Sequence, residues 1–290
     1  MVFPDGSYFS PCLRKNLIEL KDRIEKKKAA MVIIDGALGE GKTTLAVHVA
    51  DEFNRLYDLP RIDIAGPQLA LGGLQFTKKM RLCYEQKFPV VIYDEAGDFS
   101  RRGAMTQFNR MLNRTFETFR AFKILVVIVL PNFMVLDNEL LDKHIPRLLL
   151  HLKDRTIYSG EFYGYSLYRI LLLKSMQKKM NMKHYSFRVI VSNIQGRFYD
   201  LDTERSKILD DISTHNKMKI LSMSEIHMEG LLTIGDIGIK LAKSYGWVAN
   251  ALRILEVQPN RIIKKVQYYK PEIANVLAQR VDNIGELNKK

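Results

Sequence analysis

The chain is short of cysteine, of long apolar runs and of acid. Only Cys12 and Cys83 occur in 290 residues, far apart and with no Cys/His cluster beside either. That excludes a disulfide scaffold and a cysteine-based zinc site, and it fits a reducing interior. The longest strongly apolar run, residues 124–130, is too short to span a bilayer, so no integral membrane segment is expected. The opening stretch MVFPDGSYFS has neither the basic nor the apolar region of a signal peptide, and a cytoplasmic location is expected. Acids are outnumbered: 45 Lys and Arg face 32 Asp and Glu, a formal net charge of +13. Such an excess suits an anionic partner, nucleic acid first and a membrane surface second. With 47% hydrophobic residues the chain can still bury a large core.

The strongest motif follows an apolar run at residues 31–34. Gly36-Ala37-Leu38-Gly39-Glu40-Gly41-Lys42-Thr43 matches G-x-x-x-x-G-K-[ST], the Walker A or P-loop pattern, without a mismatch. Gly36, Gly39 and Gly41 let the backbone turn its N–H groups inward around phosphates, with Glu40 between them in the loop. Lys42 is expected on the β- and γ-phosphates and Thr43 on Mg²⁺, while Thr44 opens a helix whose positive end faces the same anion. About fifty residues on, Pro89-Val90-Val91-Ile92-Tyr93-Asp94-Glu95 is an apolar strand ending in two acids. This is the Walker B arrangement, with Asp94 holding Mg²⁺ and Glu95 polarising the attacking water. The strand at 124–130 runs into Pro131-Asn132. Asn132 is a candidate γ-phosphate sensor, or else a turn or helix-cap asparagine.

Further elements follow from periodicity. Residues 13–28, 74–86, 106–122 and 136–143 read as helices, and 61–65, 90–93, 124–130 and 147–152 as strands. The alternation implies an α/β fold with a parallel sheet covered on both faces. Residues 156–173 and 184–201, rich in aromatic and β-branched residues, read as strands added to that core. The expected division is 1–222 for the core with its appended strands (156–201) and 223–290 for a small helical unit.

Glu95 as base, with a strand between Walker A and Walker B, resembles the additional-strand division of P-loop ATPases. Over residues 28–152 that resemblance implies a RecA/AAA-like core of sheet order 5-1-4-3-2, with ATP as substrate and Mg²⁺ as cofactor. Two branches fit. Asn132, Leu136-Asp137 and Arg147 resemble the AAA+ series of sensor, Leu-Asp and arginine finger. The acid-tipped strand, arginine-rich helix, apolar strand and added strands are similar to the FtsK–HerA group, including Zot-like phage and plasmid ATPases. Either branch implies a homo-oligomeric ring, a hexamer among the candidates, with one subunit's arginine completing its neighbour's site. Arg147 is the first choice for that arginine, and Arg114 and Arg120 follow.

The tail at 248–269 reads as helix, short turn, helix. It is similar to helix-turn-helix DNA readers, with Leu255 to Ile262 aligned on the turn, and a second register uses Ala242 and Gly246. Arg261, Lys264 and Lys265 on an expected helix at 259–270 are the DNA-contact candidates; a protein-docking face is the alternative reading. The chain thus reads as a Mg²⁺-dependent ATPase working on DNA by translocation, packaging or remodelling, with a winged or simple helix-turn-helix tail. The rival readings are an AAA+ replication initiator or helicase loader, a Zot-like extrusion motor, and a nucleotide-gated DNA-binding regulator.

Overall fold

The computed structural model describes residues 10–37, 39–94, 122–136, 138–155, 159–180, 190–228, 231–263 and 266–279. The chain forms two compact units, Met1–Asn216 and Lys217–Lys290.

The first unit is organised around five parallel strands: β1 (Met31–Asp35), β2 (Leu69–Leu71), β3 (Val90–Asp94), β4 (Leu125–Leu130) and β5 (Pro146–Arg155). Two antiparallel strands, β6 (Ser159–Ser166) and β7 (Ile194–Tyr199), extend it beyond β5. The sheet order is β2-β3-β4-β1-β5-β6-β7, so the parallel part reads 5-1-4-3-2 from its other side. Strands β1, β3 and β4 are buried at every position. That is why they are continuous apolar runs and not alternating ones.

Successive side chains go to opposite faces. Val32 and Ile34 join the layer of α1 (Pro11–Glu25) and α2 (Lys42–Arg55). Met31 and Ile33 join a second layer with Phe76 and Met80 of α3 (Gly73–Glu85). Leu140 and Leu141 of α4 (Asn138–Asp142) and Ile170 and Leu173 of α5 (Leu167–Met180) complete it. The edge pair β6–β7 fits two aromatics over two glycines. A Cβ on Gly160 would stand 2.3 Å from the Phe198 ring, and one on Gly196 would stand 2.4 Å from that of Phe162.

Several expected elements differ. Residues 61–65 form no strand, because side chains take up the backbone's polar groups. Asp51 Oδ1 accepts the Ile62 N–H at 2.9 Å and Asp63 Oδ1 accepts that of Ala65 at 2.9 Å. The second strand is instead Leu69–Leu71. Residues 167–173 are the start of helix α5, not strand. β6 runs out of partner at the Leu148–Ser166 pair, and the unpaired chain then buries Ile170 and Leu173 at helical spacing. Of the strand expected at 184–201, β7 covers Ile194–Tyr199, and 181–189 lie outside the described residues. The arginine-rich helix expected at 106–122, with Arg114 and Arg120, also lies outside them except for Phe122.

Helix α6 (Thr203–Met228) carries the chain past the boundary between the units. The second unit then runs β8 (Leu232–Thr233), α7 (Ile234–Leu241), α8 (Tyr245–Ile254), β9 (Arg261–Ile263), β10 (Val266–Tyr269) and α9 (Glu272–Gln279). Thr233 opens α7 with a reciprocal capping box to Asp236, and the Ser244 hydroxyl accepts the Trp247 N–H to open α8.

The helix expected at 259–270 is overturned. This stretch is an antiparallel pair, in a three-stranded sheet of order β8-β10-β9. The alternation of isoleucine, valine and tyrosine suits strands as well as helices, and here pairing decides. The Asn260 N–H donates to Tyr268 O at 2.8 Å, and Asn260 Oδ1 accepts the Lys270 N–H at 3.1 Å, while Tyr269 is buried in the unit's core. Helices α7 and α8 are joined at Ala242, whose φ of 52° turns the chain, and Gly246 lies in the first turn of α8.

Within the first unit, Arg205 ties the start of α6 to α2 and to Ile62. Its guanidinium donates to both Asp51 oxygens at 2.6 and 2.9 Å and to Ile62 O at 3.2 Å, and both side chains are largely buried. Removing one partner leaves a buried charge unmatched. Arg205→Met is therefore expected to lower unfolding free energy by about 3 kcal/mol. Urea denaturation checks this, and an unchanged midpoint would contradict it.

Candidate functional site

Strand β1 ends at Asp35 and delivers the chain directly into the glycine loop. Gly36 has φ of 152°, Gly39 of 84° and Gly41 of 81°, backbone values that L side chains rarely adopt. Gly36 is also crowded: a Cβ there would stand 2.9 Å from Leu152 Cβ and 3.1 Å from Glu40 Oε2. Gly41 precedes Lys42, the first residue of α2, so the helix's unpaired N–H groups open toward the loop. Lys42, Thr43 and the half-buried Thr44 make its first turn.

Lys42 Nζ donates to Gly36 O at 2.8 Å and to Ala37 O at 2.5 Å. Burial lowers its pKa, opposed by the carboxylates of Asp94, Glu40 and Asp35. The ammonium thus sits among acids and loop carbonyls, where a phosphate would exchange with those acceptors.

The Thr43 hydroxyl donates to Asp94 Oδ2 at 2.7 Å. These two residues are 51 apart in sequence, on α2 and at the end of β3, and the strand order brings them together. Their oxygens fit a hard cation. Mg²⁺ takes one or two protein oxygens and fills its shell with water and phosphate. Among the described residues no group of three or more His, Cys, Asp or Glu could hold a metal by itself. Glu95 lies just outside the described residues.

Asn132 stands beyond the end of β4, the strand between β1 and β3. Its Oδ1 accepts the Met134 N–H at 2.9 Å and opens a 3-10 turn, Phe133–Val135. The asparagine is therefore a cap as well as a sensor candidate. With its oxygen engaged, the carboxamide nitrogen is the end that donates.

Arg147 is placed differently. Met31 pairs with Pro146 at the opposite end of β1 from the loop, and Arg147 is close enough to Arg23 to lower that residue's pKa, after burial. It lies away from its own chain's glycine loop. In the second unit, Arg261 begins β9, whereas Lys264 and Lys265 lie outside the described residues.

Sequence reasoning missed three residues around the end of β1 and the Asn132 segment. Asp35 is fully buried, with Oδ1 at 2.9 Å from His151 Nδ1 and Oδ2 accepting the Phe133 N–H at 3.0 Å. Lys174 of α5 donates to Met134 O at 2.6 Å and Leu136 O at 3.0 Å. Only Asp35 left a trace in the sequence, as an acid closing an apolar strand.

The strand order, the glycine loop and the Thr43–Asp94 pair define a P-loop nucleoside triphosphatase fold. No protein-family model and no curated protein matches the chain. Among solved structures it is similar to the N-terminal domain of zonular occludens toxin from Neisseria meningitidis, at 15% identity and TM-score 0.32, covering 63% of this chain and 97% of that one. It is also similar to a KaiC-like protein from the archaeon Pyrococcus horikoshii, at 10% identity and TM-score 0.31, covering 47% and 78%. A third is the flagellar accessory protein FlaH from Methanocaldococcus jannaschii, at 17% identity and TM-score 0.26, covering 51% and 83%. The assignment of the fold rests on the chain's own strand order and site.

Gly36→Ala is expected to abolish nucleotide binding and leave the fold in place, because its methyl meets Leu152 and the loop must shift. Nucleotide titration beside a thermal melt checks it; retained affinity would contradict the cradle.

Proposed function

We propose that the chain is a Mg²⁺-dependent ATPase that couples hydrolysis to work on DNA. The observation that carries the ATPase reading is the Thr43–Asp94 hydrogen bond at 2.7 Å, beside Lys42 on the glycine loop. Lys42 holds phosphate in the ground state, Thr43 and Asp94 hold the cation, and Asn132 donates to the γ-phosphate. Glu95, next after Asp94, acts on water only toward the transition state. A Mg²⁺ held by Thr43 and Asp94 would supply neutralisation of the charge that builds on the phosphates. The active form is a ring in which Arg147 serves the neighbouring subunit, and its distance from its own loop supports action in trans.

The second unit is the DNA reader. Its run of α7, α8 and the antiparallel β9–β10 pair suits a winged helix-turn-helix, with α8 as the groove helix and the β9–β10 pair as the wing. Exposed Lys240, Lys243, Arg253 and Lys270 add positive charge. The biological work favoured is translocation, packaging or remodelling for a virus, plasmid or other mobile element. Initiator, extrusion-motor and slow-regulator readings differ from it in whether, and how strongly, DNA stimulates turnover. Among the described residues no helix is long and apolar enough to cross a membrane.

ATP binding and phosphate release, with and without duplex DNA, test the first half. Lys42→Ala is expected to lose nucleotide affinity or turnover, while Glu95→Gln binds ATP without hydrolysing it. Lys42→Ala and Arg147→Ala subunits, inactive alone, are expected to regain turnover when mixed. Near wild-type hydrolysis by Glu95→Gln, or no rescue despite proven mixing, would count against the respective role.

For the DNA half, duplex binding by the full chain is measured across salt concentrations. Lys264→Glu and Lys265→Glu are expected to weaken binding to all sequences and to reduce the salt slope by about one for each phosphate no longer neutralised. An unaltered slope and affinity would leave this hairpin a protein-docking surface.

A further inference from the structure

Asp35 closes β1 on the face that also carries Met31 and Ile33, away from α1 and α2. A carboxylate with no exposure must be matched by donors, or burial makes it costly. Its two oxygens are divided between two parts of the site. Oδ1 meets His151 Nδ1 at 2.9 Å; a carboxylate only accepts, so that nitrogen carries the proton. His151 is directly opposite Asp35 in the β1–β5 pairing, one residue before Leu152, which crowds Gly36. Oδ2 accepts the N–H of Phe133, the residue after Asn132.

The segment bearing Asn132 is held again at its far end. Lys174 donates to the carbonyls of Met134 and Leu136, and Asn132 itself caps Met134. The loop from Asn132 to Leu136 thus has its polar groups taken up by β1, by α5 and by the segment itself. The bonds from Asp35 and Lys174 belong to no helix or strand pair. They fix where one side chain stands.

We propose that Asp35 is the positioning residue of the nucleotide site: through the Phe133 N–H it sets Asn132 against the glycine loop, and through His151 it locks the last β1–β5 pair, next to the Leu152 that crowds Gly36. Lys174 shares the first task from the far end of the segment, at Met134 and Leu136. The proposal rests on the ATPase reading for its kinetic consequence only; the geometric consequence is measurable without turnover.

Asp35→Ala, Asp35→Asn and Lys174→Met in the full chain separate the outcomes. Asp35→Ala is expected to reduce kcat by about tenfold to a hundredfold, the scale for a misplaced group, and to weaken nucleotide affinity by less than it lowers kcat. Its Phe133 amide should lose protection from hydrogen exchange. Asp35→Asn keeps an acceptor for that amide and should recover most of both. Lys174→Met, which leaves the buried carboxylate in place, should lower kcat with affinity retained even if Asp35→Ala fails to fold. Equal loss of kcat and affinity in Lys174→Met, or a Phe133 amide still protected in folded Asp35→Ala, overturns the proposal. A wild-type chain that binds ATP without hydrolysing it would sink the ATPase reading alone, and the exchange measurement would still decide the role of Asp35.

Discussion

Everything at the site depends on a hydrogen bond between two residues far apart in sequence, Thr43 Oγ1 to Asp94 Oδ2. It forms because β4 is inserted between β1 and β3, so that the loop after β1 and the acid ending β3 meet above the same edge of the sheet. A parallel sheet makes this possible. All five strands point the same way, so their carboxyl ends gather on one side and offer loops, helix N-termini and acids to one ligand. The apolar strands supply rigidity. With β1, β3 and β4 buried throughout, a displacement of either polar partner would disturb close-packed side chains on both faces.

Polar groups are buried where they join elements. Asp51, Glu52 and Asn54 all lie inward on α2, a helix that reads as amphipathic with charges out of place. Each has a partner from elsewhere: Arg205 of α6 on Asp51, Arg14 of α1 at 2.8 Å on Glu52, and Pro60 O and Gln68 for Asn54. Burial raises the pKa of Glu52, against the pull of Arg55 and Arg14, and lowers that of His48. These pairs are weak evidence of net stability, but they make the position of α2, and so of Lys42 and Thr43, specific.

The second unit illustrates a limit of periodicity. Isoleucines at 262 and 263, then Val266 and Tyr269, satisfy a helical spacing and a strand alternation almost equally. Length decides against the helix. Asn260 pairs across to Tyr268, leaving room for short strands only, and the hairpin places Tyr269 against Ile237, Val248 and Leu252. Residues 61–65 failed for a related reason. A β-rich composition makes a strand only where a neighbouring backbone is available, and here Asp51, Asp63 and Arg205 reached the polar groups first.

What the sequence determined by itself was the chemistry of contiguous residues. The glycine loop, Lys42 and Thr43, the buried strands and the acid of Asp94 were legible because each needs a residue type at a fixed local spacing. Strand order, too, could be expected once those motifs were in hand. Only the tertiary structure decided which distant groups meet. Asp35 with His151 are 116 residues apart and Lys174 with Met134 are 40, so no local pattern announces them. The same holds for Arg147, whose place at the far end of β1 follows from register. Covalent neighbours are encoded by spacing; partners across a fold are selected by burial, which leaves a carboxylate no choice but the donors packed beside it.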